Sequence, residues 1–427
     1  MGKISSLLRN KLFQNTGIYT ISSVIEKAIP FFLLPVLTRY LSTEDYGIVA
    51  MFLVLLGIIN PFTGISIQSA VLRSYYKDQV DISTYIFNSL LLILGSSTLV
   101  SVVFYFFSGP ISEYSAFPEE WLLSVVLVSA GQFVVNIVLV IWQARSKAIQ
   151  FGVLKILLTG FNLGSSIYLI VVLGYGWEGR VIGQVFAVSI FTFVSLIILW
   201  KEKLIRIKFS VEYLKHALNY GLPLIPHVLS ATIITAIDRV FITNMIGINE
   251  TGIYTVGYQI GMIVGVVATS FNKAWAPWLF DKLTDANASR KKTIVKLSYS
   301  FMAGITLFAI LLSLISPFFM EYFIGKDFYG ATDYIIWIAM GYAFNGAYFA
   351  VVNYILYVEK NHLLSYMTII TATINIILNY FLININGAIG AAQATTISYL
   401  LLFIIVWYLS NRVYPMPWLS AFSIGKK

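Results

Sequence analysis

An aspartate and an arginine stand side by side, Asp238-Arg239, inside an otherwise apolar helix of membrane-spanning length within the stretch from Tyr220 to Gln259. A charged group at the centre of a bilayer costs roughly 3 kcal/mol on insertion scales, so such residues mark ion paths, substrate paths or internal pairings. Asn375 and Asn379 are four apart in another apolar stretch and therefore share one helical face. Thr395 follows on the next stretch, after a Gly-rich entry. Hard cations are held by carboxylate, amide, hydroxyl and backbone oxygens. Asp238, Asn375, Asn379 and Thr395 are thus a candidate coupling-ion site, for Na⁺ or H⁺, provided their helices meet; Glu26 is the next acid to consider. Two plainer readings stand beside it. Asp238 pairs with a neighbouring base, Arg239 included, and the two asparagines hydrogen-bond between helices as polar groups in spans commonly do.

The cations form a second set. Lys27 adjoins Glu26 near the middle of the first apolar stretch, and helical neighbours point about 100° apart. One of the two must therefore meet another helix or a wet cavity, and Lys27 divides between a structural pairing and a cavity wall. Arg73 and Lys273 close the second and eighth stretches at near-equivalent places and rim such a cavity, or simply follow the excess of basic residues in cytoplasmic loops. Arg239 joins this set, pairs across a lobe, or snorkels outward. Trp275 and Trp278, flanking Pro277, divide between sugar stacking and an interfacial belt.

What positions these residues is a membrane. Of the 427 residues 58% are hydrophobic and 11% charged, with a mean hydropathy of +0.82, which a solvated globular surface does not allow. Apolar segments of about the ~20 residues that cross a bilayer begin with 16–41 and 45–72 and end with 362–384 and 387–410, twelve in all. No cleavable signal precedes the first, which is read as a retained helix kinked at Pro30 and Pro35. Lys and Arg alternate cleanly between loops: one side carries Arg145, Lys147, Lys208 and Arg290, the other only Arg39, Arg180 and Lys326 beside many acids. Both termini are predicted to be cytoplasmic. The net charge of +9 then reflects topology rather than nucleic-acid binding. Absent cysteine and only three histidines leave little for a disulfide or a zinc site.

The hydrophilic segment 200–219, with Leu204, Ile205, Ile207 and Phe209 on it, reads as lying on the membrane surface and divides the chain. The halves are 1–200 and 218–427, with 201–217 as linker. Gly47-Ile48 pairs with Gly252-Ile253, and Ser66 to Ala70 with Ser270 to Ala274. Gly179 to Gly183 likewise matches Gly387 to Gly390. Two six-helix repeats of one orientation are the plan of many transporters. Nothing resembles a nucleophile, a metal triad or a phosphate-binding GxxxxGK[ST] loop, so neither catalysis nor direct ATP drive is expected.

Five segments in order, LTRYLSTEDYG (37–47), SAVLRSYY (69–76), AIDRVFI (236–242) with GIYTVGYQI (252–260), FNKAWAPWL (271–279) and GAIGAAQATTISY (387–399), resemble bacterial polysaccharide-biosynthesis flippases. These are O-antigen and capsule repeat-unit translocases, in the multidrug/oligosaccharidyl-lipid/polysaccharide exporter superfamily. The resemblance implies an all-α, MATE-like polytopic fold, two six-helix lobes around a V-shaped cavity, and ion-coupled alternating access. It also implies an undecaprenyl-pyrophosphate-linked oligosaccharide as substrate, with membrane lipids and polysaccharide polymerase machinery as partners, in the bacterial inner membrane. Lys27, Arg73, Lys273 and Arg239 would then face the pyrophosphate, and an acidic cation site would lie in the C-terminal lobe. No cofactor is implied beyond the coupling ion. A multidrug antiporter of the same superfamily shares the fold; a membrane glycosyltransferase or polymerase would be expected to carry larger extramembrane loops.

Overall fold

A computed structural model describes residues 31–77, 80–284 and 287–420. Every regular element among them is helical, and ten helices are long and apolar enough to cross a membrane, eleven if one bent pair counts as a single span. The expected first span, 16–41, lies mostly outside the described residues; its end is a helix, α1, over Phe31–Tyr40. The chain forms two compact units, Met1–Leu229 and Ser230–Lys427.

In the first unit, α2 (Thr43–Gly64) starts at a capping box in which Ser42 and Asp45 satisfy each other's backbone N–H groups. Asp45 thereby has a structural task at a helix start. The expected single span 45–72 is instead two helices, because Ile65 and Ser66 take left-handed conformations (φ 43° and 49°) after Pro61 and restart the chain as α3 (Ile67–Tyr75). α4 (Ile82–Phe106) leads through a short α5 (Ser108–Ser115) to α6 (Leu122–Ala144). α7 (Ala148–Ile167) and α8 (Gly176–Lys201) form a hairpin. The most apolar window of α2 and of α6 is 67% buried, against 17% in α4 and 11% in α7, so within this unit α2 and α6 are central and α4 and α7 peripheral. Ile67 and Val71 of α3, Tyr85 of α4 and Ile137 and Ile141 of α6 lie in one buried core.

The linker differs from a strip lying free on the surface. Residues 202–210 are non-helical, and α9 (Val211–Gly221) docks on α3 and α4 through Tyr213, His216 and buried Ala217. Asn88 fastens the extended stretch, donating to the carbonyl of Lys208 (2.8 Å) and accepting from the Ser210 N–H (2.9 Å). At the same end Glu202 accepts from Arg145 (2.7 Å), Lys147 (2.8 Å) and Trp142 (3.1 Å). Burial alone would raise its pKa, but those hydrogen bonds and the two cations outweigh it and hold Glu202 below the usual carboxylate range.

A 3₁₀ turn (Leu222–Leu224) connects to α10 (Ile225–Met245), and the expected seventh span is bent by 49°. In the second unit α11 (Ile248–Gly261) gives way to α12 (Ile263–Thr284) at Met262. α13 (Ala288–Phe323), α14 (Thr332–Tyr357), α15 (Asn361–Asn386) and α16 (Ala388–Val413) follow. Gly257, Gly261 and Gly265 form a small-residue stripe against α14: a Cβ there would come within 2.5 Å of the Ala331 carbonyl, 2.7 Å of Ile338 and 2.4 Å of Tyr342. Close backbone approach of this kind replaces the hydrophobic drive that lipid removes.

Two of the internal matches fall at corresponding places; the third does not, since Ser66 to Ala70 opens α3 at the break whereas Ser270 to Ala274 lies inside α12, well past Met262. Gly47 and Gly252 are each the fifth residue of their helix, after an acidic first turn holding Glu44 and Asp45 in one and Glu250 in the other. Each unit's helix is then broken, at Ile65–Ser66 and at Met262. Each unit also ends in a glycine-tightened hairpin: Gly183 against the backbone of Ser166, and Gly390 against that of Leu382.

Candidate functional site

Asp238 is 1% exposed and Arg239 8%, both on α10 within the second unit. Both oxygens of the Asp238 carboxylate accept hydrogen bonds. One oxygen accepts from the Arg239 backbone N–H (2.9 Å) and from its guanidinium (3.3 Å), and the other accepts from the Tyr254 hydroxyl. Arg239 in turn donates to the Thr235 carbonyl (2.8 Å) and to the Thr255 hydroxyl (3.3 Å). Its guanidinium lies 4.1 Å from the ring centre of Tyr258, a cation–π contact worth about 2 kcal/mol where water is excluded. Arg239 therefore neither snorkels nor opens onto solvent. The pairing with Asp238, one of the two plainer readings, is present.

A tyrosine ladder extends from this pair. Tyr258 and Tyr342 share a hydrogen bond (2.8 Å), and the Tyr342 ring lies 5.7 Å from that of Tyr399, joining α11, α14 and α16. Tyr254 and Tyr258 are four apart within GIYTVGYQI, a spacing that puts both rings on one face; that signal went unread in the sequence.

Asn375 and Asn379 are fully buried on α15, and Thr395 is 1% exposed on α16. Asn379 donates to the Asn375 backbone carbonyl (2.9 Å) and to its side-chain oxygen (3.2 Å), while Asn375 donates to Ser398 on α16 (3.2 Å). The interhelical hydrogen bonding that competed with an ion site is thus also present. It leaves two oxygens over: Oδ1 of Asn379 and Oγ1 of Thr395 are buried and have no hydrogen-bond partner among the described residues.

Ile234 of α10, Ala372 of α15 and Tyr399 of α16 pack in one cluster. The stripe contacts of α11 on α14, and those of Thr396 with Trp337 and of Tyr399 with Gly341 and Tyr342, run in increasing order along both partners, so α11, α14 and α16 are parallel. α10 and α15 run opposite to them. One turn beyond Ile234 is Asp238, and one turn beyond Ala372 is Asn375. Counting back one turn from Tyr399 along α16 reaches Thr395, so the three polar residues form a common layer beside that cluster.

The cations lie on separate elements. Lys27 and Glu26 lie outside the described residues. Arg73 is exposed in the last turn of α3, 5.5 Å from the ring centre of Tyr220. Lys273 is exposed as well, but it does not close its helix. α12 continues to Thr284, because Trp275, Leu279 and Leu283 bury against Ile294 and Val351 and carry the helix past Pro277. Trp275 belongs to that core, stacked on Phe271 at 5.4 Å, and is not a free stacking surface.

A profile of the family described as "Polysaccharide biosynthesis protein" matches residues 12–283, and a profile described as MatE matches residues 223–381. Two Haemophilus influenzae proteins are 24% identical to the chain. The "Lsg locus putative protein 1" aligns over 379 residues, 85% of this chain and 89% of its own length. An "Uncharacterized membrane protein" aligns over 397 residues, 91% and 92%. Among solved structures, "Lipid II flippase MurJ, inward closed conformation" is similar with a TM-score of 0.73 at 18% identity, covering 92% of this chain and 87% of that one. A multidrug resistance MATE family transporter in an inward-facing conformation has a TM-score of 0.66 at 16% identity, with coverage of 91% and 94%. These two likenesses are of fold.

Proposed function

The chain belongs to the polysaccharide biosynthesis protein family, within the superfamily of flippases and multidrug exporters, and on that premise we propose that it flips undecaprenyl-pyrophosphate-linked oligosaccharide repeat units across the bacterial cytoplasmic membrane. The observation that carries this reading is the family match over residues 12–283, joined to a buried polar layer on α10, α15 and α16. The halves 1–200 and 218–427 act as two lobes with both termini cytoplasmic, and Lys27, Arg73 and Lys273 meet the phosphates. Polysaccharide polymerase machinery takes up the product.

Transport is coupled to an ion. Asn379 Oδ1 and Thr395 Oγ1, buried acceptors without a donor, fit the oxygen requirement of Na⁺, and Asp238 and Asn375 complete the set. Arg239 and Tyr254 orient the Asp238 carboxylate, and Ser398 holds Asn375. A proton at Asp238 is the other candidate ion.

The test is reconstitution of the full chain in proteoliposomes, following lipid-pyrophosphate-linked oligosaccharide and a cationic drug in parallel under an ion gradient. Gradient-dependent passage of the lipid-linked sugar is expected. Drug efflux without movement of the lipid-linked sugar would assign the chain to the antiporter branch instead.

A further inference from the structure

Away from the α10 layer, the end of α3 carries an arrangement that loop-charge bias does not account for. The Lys77 ammonium lies 3.4 Å from Nε2 of His216, on α9. An ammonium only donates, so Nε2 must be the bare acceptor nitrogen and the proton sits on Nδ1. Nδ1 then donates to the hydroxyl of Tyr85 (2.9 Å), whose side chain is 1% exposed and stacked edge-on against the imidazole at 5.7 Å. The histidine is therefore oriented by a buried phenol on α4, with its free face toward a lysine. Arg73, one turn before Lys77, stands over Tyr220 on the same α9 helix.

Charge is unbalanced here. Among the described residues neither Arg73 nor Lys77 has a carboxylate oxygen within 4.0 Å. Asp81 is engaged as the cap of α4 and by Arg206 (3.3 Å). On α9 itself Glu212 and Lys215 are exposed, and Tyr213 accepts from the Asp81 backbone N–H (3.1 Å). Two fixed cations thus flank an imidazole that gains a third positive charge once an anion approaches. Phosphate oxygens satisfy such a set through charge-assisted hydrogen bonds.

We infer that Arg73, Lys77 and His216 form a receiving site for a phosphate group borne on a lipid, with Tyr85 as the residue that positions His216. The inference deepens the proposed function by adding Lys77 and His216 to Arg73, and rests on it for the identity of the lipid. On binding, Lys77 turns from the imidazole to a phosphate oxygen, and His216 Nε2 takes up a proton from the buffered medium and becomes a second donor.

The experiment uses the purified full chain in detergent and calorimetric titration with inorganic pyrophosphate. Lys77→Gln and His216→Gln are each expected to weaken binding about tenfold, with Lys77→Arg close to wild type, as loss of one charge-assisted contact implies. Tyr85→Phe should retain binding but shift its pH dependence, with melting midpoints confirming that each variant is folded. In nanodiscs, displacement of pyrophosphate by undecaprenyl pyrophosphate supports the carried lipid as the source. Displacement by phosphatidylglycerol alone supports the phosphate site but assigns it to the bulk leaflet. Pyrophosphate affinity unchanged in both Gln variants, or absent in the wild type, overturns the site. Translocation by a wild type that fails to bind pyrophosphate would sink this site alone. Binding without any translocation of lipid-linked sugar would sink the proposed function alone.

Discussion

Nη1 of Arg239 lies 3.3 Å from Oδ1 of Asp238, although the two are successive residues of one helix. The contact works because their side chains differ in reach. The short aspartate folds onto the Arg239 backbone N–H, while the long arginine curls back one turn to the Thr235 carbonyl and passes the carboxylate on the way. Removing one partner of a buried pair leaves an uncompensated charge, which costs about 3 to 5 kcal/mol. Arg239→Ala should therefore lower the melting midpoint in detergent clearly, and Asp238→Asn together with Arg239→Met should recover part of the loss. A midpoint for Arg239→Ala equal to wild type would show the pair to be energetically idle.

The same layer yields a transport prediction. Asp238→Asn removes the only carboxylate among Asp238, Asn375, Asn379 and Thr395, so transport should lose its dependence on a Na⁺ or proton gradient. Asn379→Ala removes a buried oxygen that has no hydrogen-bond partner among the described residues, and should weaken the dependence in a graded way. Unchanged ion dependence in Asp238→Asn would place coupling elsewhere, with Glu26 the next acid to replace.

Why some of this was legible and some not follows from range. Burial of Asp238, Asn375, Asn379 and Thr395 could be read because polar residues in apolar helices have few places to go, and the i, i+4 spacing of the asparagines fixes a face. The Arg239 contacts to Thr255 and Tyr258 could not, since they depend on how α10 and α11 rotate against each other. The break after Gly64 was hidden for another reason: Pro61 is visible, but left-handed Ile65 and Ser66 are not residue types that announce a stop. Lys273 misled because it reads as the end of its helix, whereas packing of Leu279 and Leu283 carries the helix on past Pro277.

Glu202 gives a pH prediction. Its folded pKa is depressed below that of the unfolded chain by Lys147, Trp142 and Arg145 despite its burial. Its contribution to stability is therefore complete above the unfolded carboxylate value of about 4.3 and is lost as pH falls through the lower folded value. Glu202→Gln should melt earlier than wild type at pH 7, and the gap should close on acidification below about pH 4. A gap that stays constant down to pH 3 would mean that the charge of Glu202 is not what holds the α6–α8 end together.

Topology is open to direct measurement. Reporter fusions at Pro118 and Gly325 should read external, and fusions at Lys147, Lys208 and Arg290 cytoplasmic, because basic residues concentrate in the second set of loops. One inverted reading within these five breaks the twelve-span topology with cytoplasmic termini.

Exposed cations offer the last prediction. Arg73 lies in the last turn of α3, and Lys273 lies mid-way along α12 with its side chain exposed, so neither is needed to complete a buried network. Surface replacements of this kind change stability by about 0.5 kcal/mol or less, and expression should stay near normal. If the two residues meet phosphates during passage, Arg73→Ala and Lys273→Ala should each reduce polymer output in cells, as should Lys27→Ala. Arg73→Lys and Lys273→Arg should be milder, because a wet cation contact asks for charge more than for the planar fork of arginine. Output at wild-type level in all three alanine variants would remove these cations from the substrate path and leave the basic residues as determinants of orientation only.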